Sequence, residues 1–306
     1  MKIVIAGGTG FIGRALCGAL IQGGHQVTVL TRAPDRARNL LAPPVTLVQW
    51  DGRAAGAWEQ SLEGADALIN LAGEPIADAR WTAARKQLLR DSRVGTTRVL
   101  VEALARGTAR PRLLINASGI GYYGPRDATP VTETTAPGSD FLAELCRAWE
   151  HEARQAESFG ARVVRLRFGM VLEKDGGALK KMLPPFFAFL GGPVSPGDQW
   201  VSWIHRRDLI GLIHWCLSSP RITGPVNATA PGAVTMREFC RALGTALGRP
   251  SWLPVPEFAL RLILGEMANI LTTGQRVEPA VALREGYVFQ YQALDTALRA
   301  ILRRTP

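Results

Sequence analysis

Up to Gly169, short apolar runs alternate with amphipathic stretches. Lys2–Ala6, Gln26–Leu30, Val45–Gln49, Ala67–Leu71, Arg112–Asn116 and Arg162–Leu166 have the length and residue types of buried strands. A helical stretch from about Phe11 to Gln22 separates the first two, and further helical stretches follow. Apolar strands spaced by helices predict a parallel sheet covered on both faces. Such βα units wind into an α/β fold whose ligands sit at the carboxyl ends of the strands.

The rhythm changes after Gly169. Gly176-Gly177, Pro184-Pro185, Gly191-Gly192-Pro193 and Pro196-Gly197 punctuate a stretch that reads as irregular with one short helix. Residues 209–218 read as a buried helix and Gly224–Thr229 as a strand, and from Met236 the pattern is helical. The expected architecture is a Rossmann-like doubly wound parallel sheet with a smaller, mostly helical C-terminal lobe. Residues 1–172, completed by about 205–230, form the nucleotide-binding domain. Residues 173–204 and 231–306 form a substrate-side lobe and C-terminal module.

Composition narrows the partners. Of 306 residues, 47% are hydrophobic and 20% charged, which excludes a disordered or fibrous chain. No apolar run is long enough to span a bilayer, and Met1-Lys2 leads straight into a strand, so the expectation is a cytoplasmic protein without membrane partners. The formal charge is +10, but the arginines are scattered and no run of five basics occurs. That pattern favours a phosphate-bearing ligand over nucleic acid. Cys17, Cys146, Cys216 and Cys240 lie far apart, as buried free thiols would, and no metal site is expected.

The most informative motif is Gly7-Gly8-Thr9-Gly10-Phe11-Ile12-Gly13, which leaves the first strand and opens the first helix. Gly7 and Gly10 permit a tight turn and close approach to a pyrophosphate, and Gly13 permits close helix–strand packing. The second strand ends in Thr31-Arg32, with no acid until Asp35. A ribose 2′-hydroxyl is usually held by an acid there, whereas Arg accommodates a 2′-phosphate, so NADP(H) is favoured over NAD(H).

Together with Asn70–Gly73 (NLAG), Ser118 and Tyr123-Gly124, this motif resembles the extended short-chain dehydrogenase/reductase superfamily. More narrowly, the chain is similar to its atypical "epimerase family" subgroup, the sugar-nucleotide epimerase-like NADP-binding proteins. The matching residues are Asn70–Ile76, Arg80-Trp81, Ser92-Arg93, Gly121–Gly124, Trp149-Glu150, Met182–Phe186, Gly191-Gly192-Pro193, Trp203-Ile204-His205, Gly265-Glu266 and Gly274–Val277. The resemblance implies cofactor contacts from the glycine loop (Gly7, Gly10, Phe11, Ile12, Gly13), Thr31, Arg32, Leu71, Ala72, Gly73, Arg93 and Arg167. Arg167 follows the sixth strand and offers a charge-assisted bond to cofactor oxygens.

The chain also departs from that superfamily. Ordinary members carry a Tyr and a Lys one helical turn apart, where the Lys lowers the phenol's pKa for proton exchange. In Asp140–Glu152, Leu142 and Cys146 occupy those places, and Gly119 stands at the usual Ser position beside Ser118. No Tyr-x-x-x-Lys occurs in the chain, and the catalytic residues are therefore left undefined. Tyr122, Tyr123, Trp203 and His205, the last with Asp208 one turn on, are candidate pocket residues. A phenol at Tyr122 or Tyr123 without a neighbouring cation keeps a pKa near ~10. The resulting expectation is an NADP(H)-binding epimerase- or oxidoreductase-like enzyme acting on a small molecule. The alternative is a non-catalytic NADP(H)-binding redox sensor or scaffold, and a homodimer is open in either case.

Overall fold

A computed structural model describes residues 1–302. In chain order the elements are β1 (Lys2–Ala6), α1 (Phe11–Gln22), β2 (Gln26–Thr31), α2 (Pro34–Arg38), β3 (Val45–Gln49) and β4 (Ala67–Asn70). Then come α3 (Ala83–Arg90), α4 (Thr96–Arg106), β5 (Leu113–Gly119), α5 (Phe141–Arg154), β6 (Arg162–Phe168), β7 (Met170–Leu172) and α6 (Gly177–Phe187). The last elements are β8 (Trp200–Val201), β9 (Trp203–His205), α7 (Arg206–Ser218), β10 (Gly224–Ala228), β11 (Val234–Thr235), α8 (Met236–Leu247), α9 (Glu257–Leu264), α10 (Asn269–Thr272), α11 (Ala280–Arg284) and α12 (Leu294–Leu302).

Seven strands form one sheet in the order β10-β6-β5-β4-β1-β2-β3, with every pairing parallel. Successive side chains leave opposite faces of each strand. In β1, Ile3 and Ile5 enter the core beneath α1 and α7, while Val4 and Ala6 enter the one beneath α4. The chain runs outward from β1 to β3 and returns to β4 on the other side of β1. That reversal makes the carboxyl ends of β1 and β4 the topological switch point, the place where doubly wound sheets bind ligands.

A third core, built from α6, α8, α12, Val201 and Trp203, lies in the lobe. Two small pairs support it, β7 with β9 and β8 with β11. The irregular stretch expected after Gly176 contains an 11-residue helix, α6, which continues through Pro184 and Pro185. Both prolines fall in its final turns, where the chain loses few i→i−4 bonds, and Ala188 N still donates to Pro184 O. None of the helices among the described residues is long and apolar enough to cross a membrane.

Candidate functional site

The glycine turn is shaped by three different constraints. Gly7 has φ +81°, and a Cβ there would stand 2.6 Å from the Leu71 carbonyl carbon, so β1 and β4 meet at bare backbone. Gly13 packs α1 onto the turn, since a Cβ would sit 2.3 Å from Gly7 O. Gly10 differs: its backbone is ordinary at φ −74°, and a Cβ would meet only Gly7 O at 3.3 Å. The first turn of α1 has no side-chain cap and no acidic residue. Its N–H groups and the positive end of the helix dipole make a terminus of the kind that favours an anion. Phe11 lies against Gly176 and Gly177, with the Arg206 guanidinium 5.0 Å from its ring, which ties the lobe to this turn.

Three arginines converge on Glu74, beside the ends of β2 and β4. Arg32, with its side chain 77% exposed, places Nη1 3.8 Å from Glu74 Oε1. Arg85 Nη1 lies 3.6 Å from Glu74 Oε2, and Arg93 Nη2 donates to the Glu74 carbonyl at 2.9 Å. Arg93 reaches this place because the helical run α3–α4 is interrupted by a π turn, Asp91–Gly95, which inserts an extra residue. Its guanidinium lies against Gly73, where a Cβ would be 3.2 Å from Cζ, and burial pulls its pKa down. Thr31 Oγ1 accepts from Ala33 N and so shapes the turn after β2. The roles of Glu74 and Arg85 have no signature in the sequence, where the discriminating acid is expected at the end of β2 rather than after β4.

The wall beyond β5 is apolar. A Cβ on Gly121 would touch Leu142 at 3.1 Å, and one on Gly119 would lie 3.8 Å from Cys146 Sγ. Leu142 and Cys146, at i and i+4 on α5, therefore stand where that wall turns. Burial pushes the Cys146 thiol up to about 11, so it is neutral at physiological pH. Ser118 turns away, with Oγ donating to Glu150 Oε1 at 2.8 Å.

Four expected site residues are absorbed into packing. Arg167 does not present its guanidinium to a cofactor: Nε and Nη2 donate to the two Glu150 oxygens at 2.7 and 2.9 Å, and Nη1 donates to the Tyr123 hydroxyl at 2.9 Å. Burial opposes this charge, yet the Glu150 bonds outweigh it and hold the guanidinium protonated. Tyr123 is fully buried, its hydroxyl donates to Asn227 Oδ1, and burial pushes its pKa up to about 12. Trp203 is likewise buried, with Nε1 donating to Gly232 O. His205 caps α7 through Nδ1, which accepts from Arg207 N at 2.9 Å, and stacks on Tyr291 at 4.0 Å. Asp208 is not its partner, because it accepts from Gln290 N and Tyr291 N. Tyr122 remains half-buried, with Arg167 Cζ stacked over its ring face 3.5 Å from the centroid.

His205 also sets an expected acid response. Burial, aided by Arg207 and Arg206, pulls its pKa down to about 4. An unfolded imidazole titrates near ~6.5, so the unfolded chain takes up this proton first. The stability carried by neutral His205 is present above that pH and lost as the pH falls toward the folded value. Denaturation midpoints should fall across that window, and His205→Asn should flatten the decline. A variant with the wild-type profile would contradict the assignment.

Comparison with known proteins adds a separate set of facts. Residues 3–228 match the model of the NAD dependent epimerase/dehydratase family, and residues 255–301 match a domain of unknown function, DUF1731. The chloroplastic epimerase family protein SDR39U1 homolog of Arabidopsis thaliana is 40% identical over 309 residues, covering 99% of this chain and 87% of its own. The epimerase family protein YfhF of Bacillus subtilis is 39% identical over 303 residues, covering 99% and 98%. The crystal structure of the human epimerase family protein SDR39U1 with NADPH superposes with a TM-score of 0.89, at 34% identity and full coverage of both chains.

Proposed function

We propose that this chain, which belongs to the NAD dependent epimerase/dehydratase family, binds NADP(H) across the carboxyl ends of β1, β2 and β4 and acts on a small molecule beside β5. The observation that carries the reading is the arrangement at the crevice: an uncapped α1 N-terminus over a turn left open at Gly10, with Arg32, Arg85 and Arg93 around Glu74. The open turn suits a pyrophosphate, and two cations on the Glu74 carboxylate with a third on its backbone carbonyl leave positive charge for a 2′-phosphate. The human relative, crystallised with NADPH, supports the same reading. The cofactor would supply hydride transfer. In this reading Gly7, Phe11, Ile12 and Gly13 form the floor, Leu71, Ala72 and Gly73 border the adenosine side, and Thr31 shapes the turn presenting Arg32.

Arg32→Ala should lower the preference for NADPH over NADH by about 1–3 kcal/mol, the scale of a charge-assisted hydrogen-bond set. Titration calorimetry of the variant with both cofactors reads this directly. An unchanged ratio would move discrimination to Arg85 and Arg93.

The apolar wall also limits the chemistry. With Leu142 and Cys146 in place of a phenol and an ammonium, no ionisable relay stands at the usual position, and sugar-nucleotide substrates should turn over far below ~1 per second. NADPH oxidation against a panel of carbonyls and sugar nucleotides tests this. Ordinary turnover of a sugar nucleotide would direct attention to Tyr122, the half-buried phenol beside Arg167. The same wall favours a second reading, NADP(H) binding without turnover, in which no member of the panel reacts while cofactor still binds.

A further inference from the structure

One side chain beside the proposed 2′-phosphate seat carries a charge that opposes it. Ala6, the last residue of β1, pairs with Leu30 of β2 on one side and with Asn70 of β4 on the other. Arg32 and Glu74 follow those two strands and meet across the carboxyl end of β1, with Arg32 Nη1 3.8 Å from Glu74 Oε1. The Glu74 backbone is pinned there, its N–H donating to Ser92 Oγ at 3.1 Å and its carbonyl accepting from Arg93 Nη2. The carboxylate itself is held loosely. Its separations from Arg32 and Arg85, 3.8 and 3.6 Å, are both too long for hydrogen bonds, and the side chain is 26% exposed. Arg85 is more deeply set, yet its buried Nε has no hydrogen-bond partner among the described residues. Two guanidinium groups thus face one weakly held anion, with a donor left over.

Charge decides what that anion does. Arg32 and Arg85 bring two positive charges to this place, and Glu74 cancels one of them. A phosphate monoester carries a charge of about −1.5 to −2 near neutral pH, and its three oxygens take charge-assisted bonds from a guanidinium fork. The Glu74 carboxylate makes no such bond to either arginine, so a phosphate is the stronger partner for both. The two anions repel each other and do not share the pair of cations. A ribose 2′-hydroxyl is uncharged: it leaves the ion pairs standing and can donate to the carboxylate, the contact an acid makes in NAD sites. On the reading that NADP(H) lies across β1, β2 and β4, we propose that Glu74 is the counter-ion that sets cofactor choice. In the free protein it holds the place of the 2′-phosphate between Arg32 and Arg85. It gives way to NADPH and stays in place for NADH, so the wild-type site prefers NADPH less strongly than its arginines alone would.

The test is titration calorimetry of the full chain, as wild type, Glu74→Gln and Glu74→Ala, with NADPH and with NADH in one buffer near neutral pH. Both variants should bind NADPH at least about fivefold tighter than wild type and NADH no tighter, so the ratio of the two affinities widens. Their melting temperatures without cofactor should stay near that of wild type, because no side-chain hydrogen bond to Arg32 or Arg85 is lost. A glutamate that only shapes the loop would, when replaced, weaken both cofactors together. That outcome overturns the proposal, as does an unchanged or narrowed ratio in either variant. In both cases a wild-type preference for NADPH leaves the binding site itself standing. Wild type that binds neither cofactor overturns the site and the proposal together.

Discussion

Gly10→Val is expected to melt close to the wild-type temperature and to show no thermal shift with NADPH. The native φ of −74° is open to any residue, and a Cβ would meet only Gly7 O, at 3.3 Å. The fold therefore tolerates the substitution, while the branched side chain fills the opening where a pyrophosphate must approach the α1 N–H groups. Wild type should gain stability from the ligand by mass action, about 2.7 kcal/mol at a hundredfold excess over Kd. Gly13→Val is the informative contrast. A Cβ there would lie 2.3 Å from Gly7 O, so that variant should lose stability with or without cofactor. A normal NADPH shift in Gly10→Val would make the turn purely structural.

Glu150→Ala should cost about 3–5 kcal/mol of folding stability, the range for breaking a buried ion pair by removing one partner. Glu150 is 3% exposed and accepts both arms of Arg167, the Ser118 hydroxyl and the nearby charge of Arg165, 3.7 Å away. Without it, the buried Arg167 and the partly buried Arg165 lose their counter-charge. Denaturant unfolding measures the loss, and Glu150→Leu combined with Arg167→Met should recover much of it, because a matched apolar pair leaves less charge stranded. A single-variant cost below about 1 kcal/mol would mean that water reaches the pair.

The sheet was legible because each strand is a short apolar run flanked by turn residues, and β1, α1 and β3 begin and end where that pattern places them. The glycine turn was legible because each of its spacings has a steric reason. Partners of charged residues were not. Arg167 at the end of β6 has the same local sequence whether it faces a ligand or Glu150, and only the packing of α5 on the sheet decides between them. Trp203 and His205 fall on β9, a strand too short for alternation to tell the buried face, and its pairing with β7 draws both inward. Glu74 is visible in the sequence, yet its role depends on Arg32 and Arg85, which arrive from separate elements.

The central claim is that the crevice at β1, β2 and β4 is built for a dinucleotide carrying a 2′-phosphate. Titration calorimetry of the wild-type protein with NADPH and with NADH in the same buffer tests it most directly. The arginines around Glu74 predict saturable 1:1 binding of NADPH, tighter than NADH by about tenfold or more, since each ~1.4 kcal/mol is a factor of ten. Equal affinities for the two cofactors, or no binding of either, would contradict it.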